Sequence, residues 1–171
     1  MAATEGTPLG VGAELHRSWT RQVKLSPHFT LEEMTRSDWA ARNGVRNDPS
    51  PEHVENLKRL CVEVLEPIRD AVKAPIFVTS GYRSLTVNRA AGGALASAHM
   101  DGRAADFVVG GMSIEVASLV VRNACRTLPV GKLIQEFGRW LHVQIDLVGE
   151  PRRQWLQAYS KDGRTTYQEW I

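Results

Sequence analysis

The run Ser97-Ala98-His99-Met100-Asp101-Gly102-Arg103-Ala104-Ala105-Asp106, followed later by Trp140-Leu141-His142-Val143, contains the residue types best suited to chemistry. Two imidazoles and one carboxylate are a set with which proteins hold zinc while leaving a fourth position for water, as catalytic rather than structural sites do. His99, Asp106 and His142 are therefore candidate ligands of one Zn2+ ion, and the chain reads as a hydrolase.

The surrounding residues must bring these groups together. Gly102 and the small Ala104 and Ala105 let the backbone turn tightly and approach closely between His99 and Asp106. Asp106 opens the apolar run Phe107-Val108-Val109, which reads as a buried strand, and a carboxylate at its mouth is costly unless paired or bound to a metal. Upstream, Ile76-Phe77-Val78-Thr79 reads as a β-branched strand that delivers Ser80-Gly81-Tyr82-Arg83-Ser84 into a turn. An arginine just past a strand end can hold a carboxylate with two parallel hydrogen bonds.

The series Ser80 to Ser84, Asn88, Gly92-Gly93, Ser97-Ala98-His99, Gly102, Ala104-Ala105-Asp106 and Glu136-Phe137-Gly138-Arg139-Trp140-Leu141-His142 resembles the M15 zinc peptidases, in particular their phage and bacterial branch related to D-alanyl-D-alanine carboxypeptidases. The similarity runs from about His28 to the C-terminus and includes Phe29 to Glu33 and Val64 to Arg69. The resemblance implies that His99, Asp106 and His142 bind zinc and that Arg83 and Ser97 contact substrate. It also implies the α+β, hedgehog-like fold of that family.

Many M15 members carry a glutamate three residues before the last ligand, where this chain has Arg139. The nearest acid is Glu136, and the branch that the chain resembles has an acid there, so Glu136 is the expected catalytic base. Its placement depends on the turn around Gly138-Arg139. A two-residue loop would pair Phe137 with Trp140 and put Gln135 beside His142, whereas an odd loop or a bulge would bring Glu136 across from His142. The odd loop is expected. Zinc would then polarise the scissile carbonyl and acidify water, Glu136 would move the proton to the departing amine, and Arg83 would grip a substrate carboxylate. Peptidoglycan stem peptides offer such carboxylates at terminal D-alanine and at D-glutamate, without favouring one scissile bond.

At 171 residues, 43% hydrophobic and 23% charged, the chain suits one catalytic domain with a real core. A net charge of +2, with no basic block interleaved with aromatics, argues against nucleic acid as a partner. Cys61 and Cys125 lie among apolar helical residues and read as small hydrophobes. Met1 to Gly12 lack the pattern of a signal peptide, and no stretch approaches a membrane helix. The expectation is a protein made in the cytoplasm that reaches the cell wall through lysis-type release or as part of a virion, with virion proteins as candidate partners.

Residues 1–26, rich in Gly, Ala, Thr and Ser, read as an arm or linker ahead of a domain over 27–171. Thr30 and Glu33 form a capping box that starts a short helix to about Ala41. Ser50-Pro51 starts a longer helix whose stripe is Val54, Leu57, Leu60, Cys61, Val64, Leu65 and Ile68, with a kink expected at Pro67. Ser113 to Thr127 repeats the design through Val116, Leu119, Val120 and Ala124. Asp162-Gly163 joins two strand-like runs in a hairpin. Helices followed by strands argue for an α+β domain with a small, largely antiparallel sheet flanked by helices. His16, His28 and His53 lack ligand partners at useful spacing and read as surface or capping residues. Trp39, Trp155 and Trp170 read as packing residues, and Trp140 stands near the candidate site.

Two functions from different classes follow. The leading one is a zinc peptidase of peptidoglycan stem peptides, of the phage lytic type. The other is a non-catalytic virion structural or wall-binding module that keeps the zinc fold, which Arg139 in place of the usual glutamate supports. A hydrolase of some other amide or ester would share the ligands but not the Arg83 anchor.

Overall fold

The computed structural model describes residues 23–170. The helices come first: α1 (Leu31–Thr35), α2 (Asp38–Arg42), α3 (Pro51–Leu60) running through a π-helical turn at Cys61–Leu65 into α4 (Glu66–Val72), then strand β1 (Ile76–Ser80) and α5 (Leu85–Ala90). β2 (Ala104–Val109), α6 (Ile114–Cys125), β3 (Val130–Glu136), β4 (Trp140–Ile145), β5 (Gln154–Lys161) and β6 (Arg164–Glu169) follow. All six strands form one sheet in the order β1-β2-β4-β3-β5-β6. No helix among the described residues is long and apolar enough to cross a membrane.

The α+β class is as expected, but the sheet is mixed. β1·β2, β2·β4, β3·β4 and β5·β6 are antiparallel, while β3·β5 is parallel. The reason lies in the connection after β4. β4 ends beside the start of β3, with Ile145 opposite Val130, and the chain then enters β5 at Gln154 opposite Lys132. It therefore runs in the same direction as β3. The β5-β6 turn has Asp162 and Gly163 both at positive φ, 51° and 72°, the mirror-image turn that an Asp-Gly pair favours.

Strand alternation divides the sheet into two faces. Ala105, Phe107, Leu133, Leu141 and Val143 point into a core shared with Leu57, Leu60, Val64, Leu65, Ile68, Val121 and Cys125 of the helices. The residues between them, including Asp106, Glu136 and His142, belong to the other face. Burial of each large core side chain removes its apolar area from water, worth roughly 1.5–3 kcal/mol, so the helical layer fixes which face remains for chemistry.

Several local expectations are corrected. The helix expected from Thr30 to about Ala41 is two, because Arg36 is extended and Ser37 starts a second cap, accepting from the Ala40 N–H. Thr30 Oγ1 accepts from Glu33 N–H as the capping box requires. At Pro67 the long helix widens rather than breaking. Proline lacks an N–H and crowds the carbonyl four residues back, and a π turn immediately ahead of it relieves that crowding. In α6 the buried stripe is Ala117, Ser118, Val121 and Cys125, whereas Val116 and Leu119 are exposed, Leu119 by 63%. The periodicity admits either stripe, and the one with smaller side chains lets the helix sit close to the sheet. Packed chain begins by Val23, inside the segment read as an arm. Leu25 is buried, Leu31 N–H donates to Val23 O, and Ser26 and His28 are tied to the Glu66 carboxylate. The rest of the arm reading, residues 1–22 with His16, lies outside the described residues.

Candidate metal centre

Asp106 and His142 come from adjacent antiparallel strands and are direct register partners, so the pairing of β2 with β4 places both side chains on one face. His99 comes from the segment that follows α5. Gly102, at φ 68°, turns that segment back towards β2, and a methyl group there would come within 2.5 Å of the His53 carbonyl oxygen. Arg83 N–H donates to His99 O, and His99 Nδ1 lies 2.7 Å from Gly81 O. A carbonyl only accepts, so Nδ1 carries the proton and Nε2 presents its lone pair to the site.

Three donor atoms converge there. His142 Nδ1 is 2.8 Å from Asp106 Oδ1, His99 Nε2 is 3.2 Å from the same oxygen, and the two imidazole nitrogens are 3.2 Å apart. Ligand bonds of ~2.0–2.1 Å in a tetrahedral shell imply edges of ~3.3 Å, so the trio is spaced as a zinc site needs. His99, Asp106 and His142 are 3%, 6% and 9% exposed, and they form the group able to hold a metal ion among the described residues. Burial works to raise the Asp106 pKa, but the charges and hydrogen bonds of His99 and His142 outweigh it and hold the carboxyl well below its ordinary range. An anion stabilised in this way is ready to meet a cation.

The site opens into a cleft of about 450 Å3, a size typical of small-ligand sites. Arg83, Ser97, Lys132, Glu136, Trp140 and Tyr167 are among its lining residues. Arg83 Nη2 donates to Asp106 Oδ2 at 2.5 Å and its Nε donates to Ser80 Oγ at 2.8 Å, so the guanidinium abuts the ligand set. The other wall is braced from below by Asn88, whose Nδ2 donates to Ala94 O and whose side chain fills the space a Cβ at Gly93 would need.

Glu136 is half-buried in the same cleft. The β3-β4 turn has three residues, Phe137-Gly138-Arg139, the odd length expected, with Phe137 and Gly138 at positive φ. The expected direct pairing with His142 is corrected. Glu136 pairs with Trp140, and Ile134 stands opposite His142. An odd turn still puts Glu136 on the face of His142, one diagonal step away. Burial raises the Glu136 pKa, the Asp106 charge adds to this, and His142 and Arg83 act in the opposite direction. Arg139, which occupies the usual glutamate position, lies in the exposed turn.

A family model described as Peptidase M15 matches residues 27–144, more than half of the chain. The chain belongs to the peptidase M15 family. It is therefore a member of a zinc-dependent metallopeptidase family, and the buried His-Asp-His group supplies the donor set that such chemistry requires. No curated protein matches the chain. In this M15 peptidase the two other histidines among the described residues stand apart from the centre: His28 bonds Glu66, and His53 packs on Tyr82. Cys61 and Cys125 are buried and free, and burial pushes both thiols up. Tyr167 and Lys132 line the cleft without having been singled out from the sequence. Tyr167 reaches it through a hairpin beyond the matched segment, and only its place in the sheet register reveals it.

Proposed function

We propose that this protein is a zinc-dependent peptidase of peptidoglycan stem peptides, of the phage-type lytic class. The observation that carries the reading is a half-buried carboxylate, Glu136, that shares one cleft with three converging metal donors and one sheet face with two of them, Asp106 and His142. His99, Asp106 and His142 hold the ion. Zinc in that position supplies Lewis acidity and lowers the pKa of water.

The protein's own groups do the rest. Glu136 accepts the proton of the attacking water and passes it to the departing amine, a role that its place in the cleft, on the sheet face of Asp106 and His142, allows. Arg83 stays anchored through Nε and Nη2, which leaves Nη1, without a hydrogen bond among the described residues, to meet a carboxylate of the stem peptide. Ser97, in the lining of the same cleft, offers a hydroxyl to the peptide backbone. The substrate class rests on that carboxylate preference and on the likeness to the phage and bacterial branch of the family. The site of action is the cell wall, reached by lysis-type release or by carriage in a virion. Glu136 within the cleft weighs against a purely structural virion module.

The test is digestion of purified peptidoglycan by the zinc-loaded protein and by Glu136→Gln, with fragments identified by mass spectrometry. Loss of terminal D-alanine identifies a carboxypeptidase, and a cut within the stem or cross-bridge identifies an endopeptidase. The absence of fragments from several wall types, with zinc bound, overturns the lytic reading.

A further inference from the structure

The β5-β6 hairpin lies beyond the segment matched by the family model, yet it contributes to the catalytic cleft. The register explains how. Trp140 pairs with Glu136, Glu136 with Ala158, and Ala158 with Tyr167, so these four residues form one row across β4, β3, β5 and β6 on the face of the metal centre. The next residue of the hairpin on that face, Thr165, lines the cleft as well.

Ala158 is the key to the row. With one methyl group and 2% exposure, it is a small floor covered by its surroundings, and it leaves room above it for the larger side chains on either side. Neighbouring strands are about 4.8 Å apart, so the backbones of Glu136 and Tyr167 are separated by about 10 Å, a span that a glutamate and a tyrosine side chain can bridge from both ends. The phenol of Tyr167 is raised by partial burial and then by the charge of Glu136, which places the two groups in electrostatic reach. Tyr167 remains 54% exposed, and its hydroxyl makes no hydrogen bond among the described residues. An aromatic ring held beside the expected base, open to solvent and with a free hydroxyl, is a surface for substrate.

We infer that Tyr167 is a specificity-determining residue, which packs its ring against a residue of the peptide flanking the scissile bond and offers its hydroxyl to that peptide's backbone. The inference rests on the proposed peptidase activity and adds to it a wall supplied by the C-terminal hairpin. Substrates long enough to extend past Glu136 use this wall, while a dipeptide confined to the metal centre does not.

The experiment compares zinc-loaded wild type, Tyr167→Thr and Tyr167→Phe on soluble stem pentapeptide, on cross-linked stem dimer and on D-alanyl-D-alanine. Threonine keeps strand propensity, so the hairpin is preserved. Tyr159→Thr, on the opposite face of the same hairpin, serves as the control for folding. Bound zinc is measured for each protein. The expected result is a KM on the stem peptides raised about tenfold by Tyr167→Thr, the size of one aromatic contact, and raised less by Tyr167→Phe. Zinc content, kcat and any dipeptide activity stay within about twofold of wild type, as loss of uniform binding requires. An unchanged KM overturns the inference while leaving the peptidase reading intact. A fall in kcat or in zinc content overturns it too, since Tyr167 would then act on the base or the fold. A zinc-loaded wild type that is inert on all three substrates overturns the peptidase reading, and this inference with it.

Discussion

Gly81 connects the fold to the metal centre, and its replacement by alanine makes the strongest test of how His99 is held. A methyl group at Gly81 would sit 2.2 Å from Met34 O, about 1.2 Å inside the 3.4 Å of ordinary contact. Met34 is buried and its carbonyl already accepts from Tyr82 N–H at 2.7 Å, so neither partner yields easily. The Gly81 carbonyl must move, and that carbonyl fixes the His99 ring through Nδ1. Overpacking of this kind destabilises by about 1–3 kcal/mol. Loss of the bond that orients a ligand histidine lowers metal affinity about 10–100-fold, equivalent to about 1.4–2.8 kcal/mol. Two assays separate these effects: urea unfolding of the metal-free protein, and zinc titration against a competing chromophoric chelator. Zinc stabilisation of Gly81→Ala should fall by the same 1.4–2.8 kcal/mol, because binding to the native state alone sets that increment. Gly111→Ala is the comparison. It introduces a methyl at φ 73° into open space, so it should lose about 1 kcal/mol of stability and no zinc affinity. A folded Gly81→Ala with wild-type zinc affinity would refute the reasoning.

Other expectations follow from the same geometry. Glu136→Gln should lower kcat by a factor of about 10²–10⁴ while zinc stoichiometry is unchanged, measured on whichever peptide the wild type cleaves. In the metal-free protein the raised Glu136 pKa has a definite sign. Stability associated with the neutral carboxyl is present below the unfolded value near 4.3 and is lost as pH rises through the higher folded value. Glu136→Gln should therefore be more stable than wild type at pH 7, with the gap closing near pH 4, and parallel urea curves at the two pH values check it. Removing zinc with a chelator should abolish hydrolysis and lower the unfolding midpoint without dissolving the sheet, since the core face contains none of the ligands. On α6, Leu119→Ser should change stability by less than about 0.5 kcal/mol and Val121→Ala should cost about 2 kcal/mol, because the first side chain is exposed and the second is buried. Equal effects in thermal melts would contradict the observed stripe.

The residue types of His99, Asp106 and His142 suggested a metal site and the resemblance to the M15 peptidases singled the three out as a set, and the fold brings them together. The turn that matters most was half legible. Its odd length was expected because the branch that the chain resembles has an acid at the Glu136 position, but the identity of the residue opposite His142 depended on where strand pairing began, and a two-residue difference there separates Ile134 from Glu136. The α6 stripe was misplaced because the helix is apolar over a wide arc, and periodicity does not say which part of that arc meets the sheet. The parallel β3·β5 pair was hidden for a different reason: strand direction is set by which end of the sheet a connection enters, and residues 146–153 give no signal of it. The place of Tyr167 in the cleft was invisible because a tyrosine in an exposed strand has no distinguishing local pattern.

The centre therefore depends on two kinds of positioning that fail differently. Asp106, His142 and Glu136 sit on neighbouring strands of one face, so their mutual placement is a property of register and is protected by every core residue on the opposite face. A one-residue slip would turn all of them into the helical layer, at the cost of burying charged groups in an apolar core. His99 has no such protection. It reaches the site from an irregular segment and is held by single bonds to the residues after β1, namely its ring to Gly81 O and its carbonyl to Arg83 N–H. Arg83 in turn reaches back to Asp106, so the segment after β1 touches two of the three ligands. Substitutions in that segment should therefore loosen the metal while the sheet remains intact, whereas substitutions of the core-facing strand residues should lose fold and metal together.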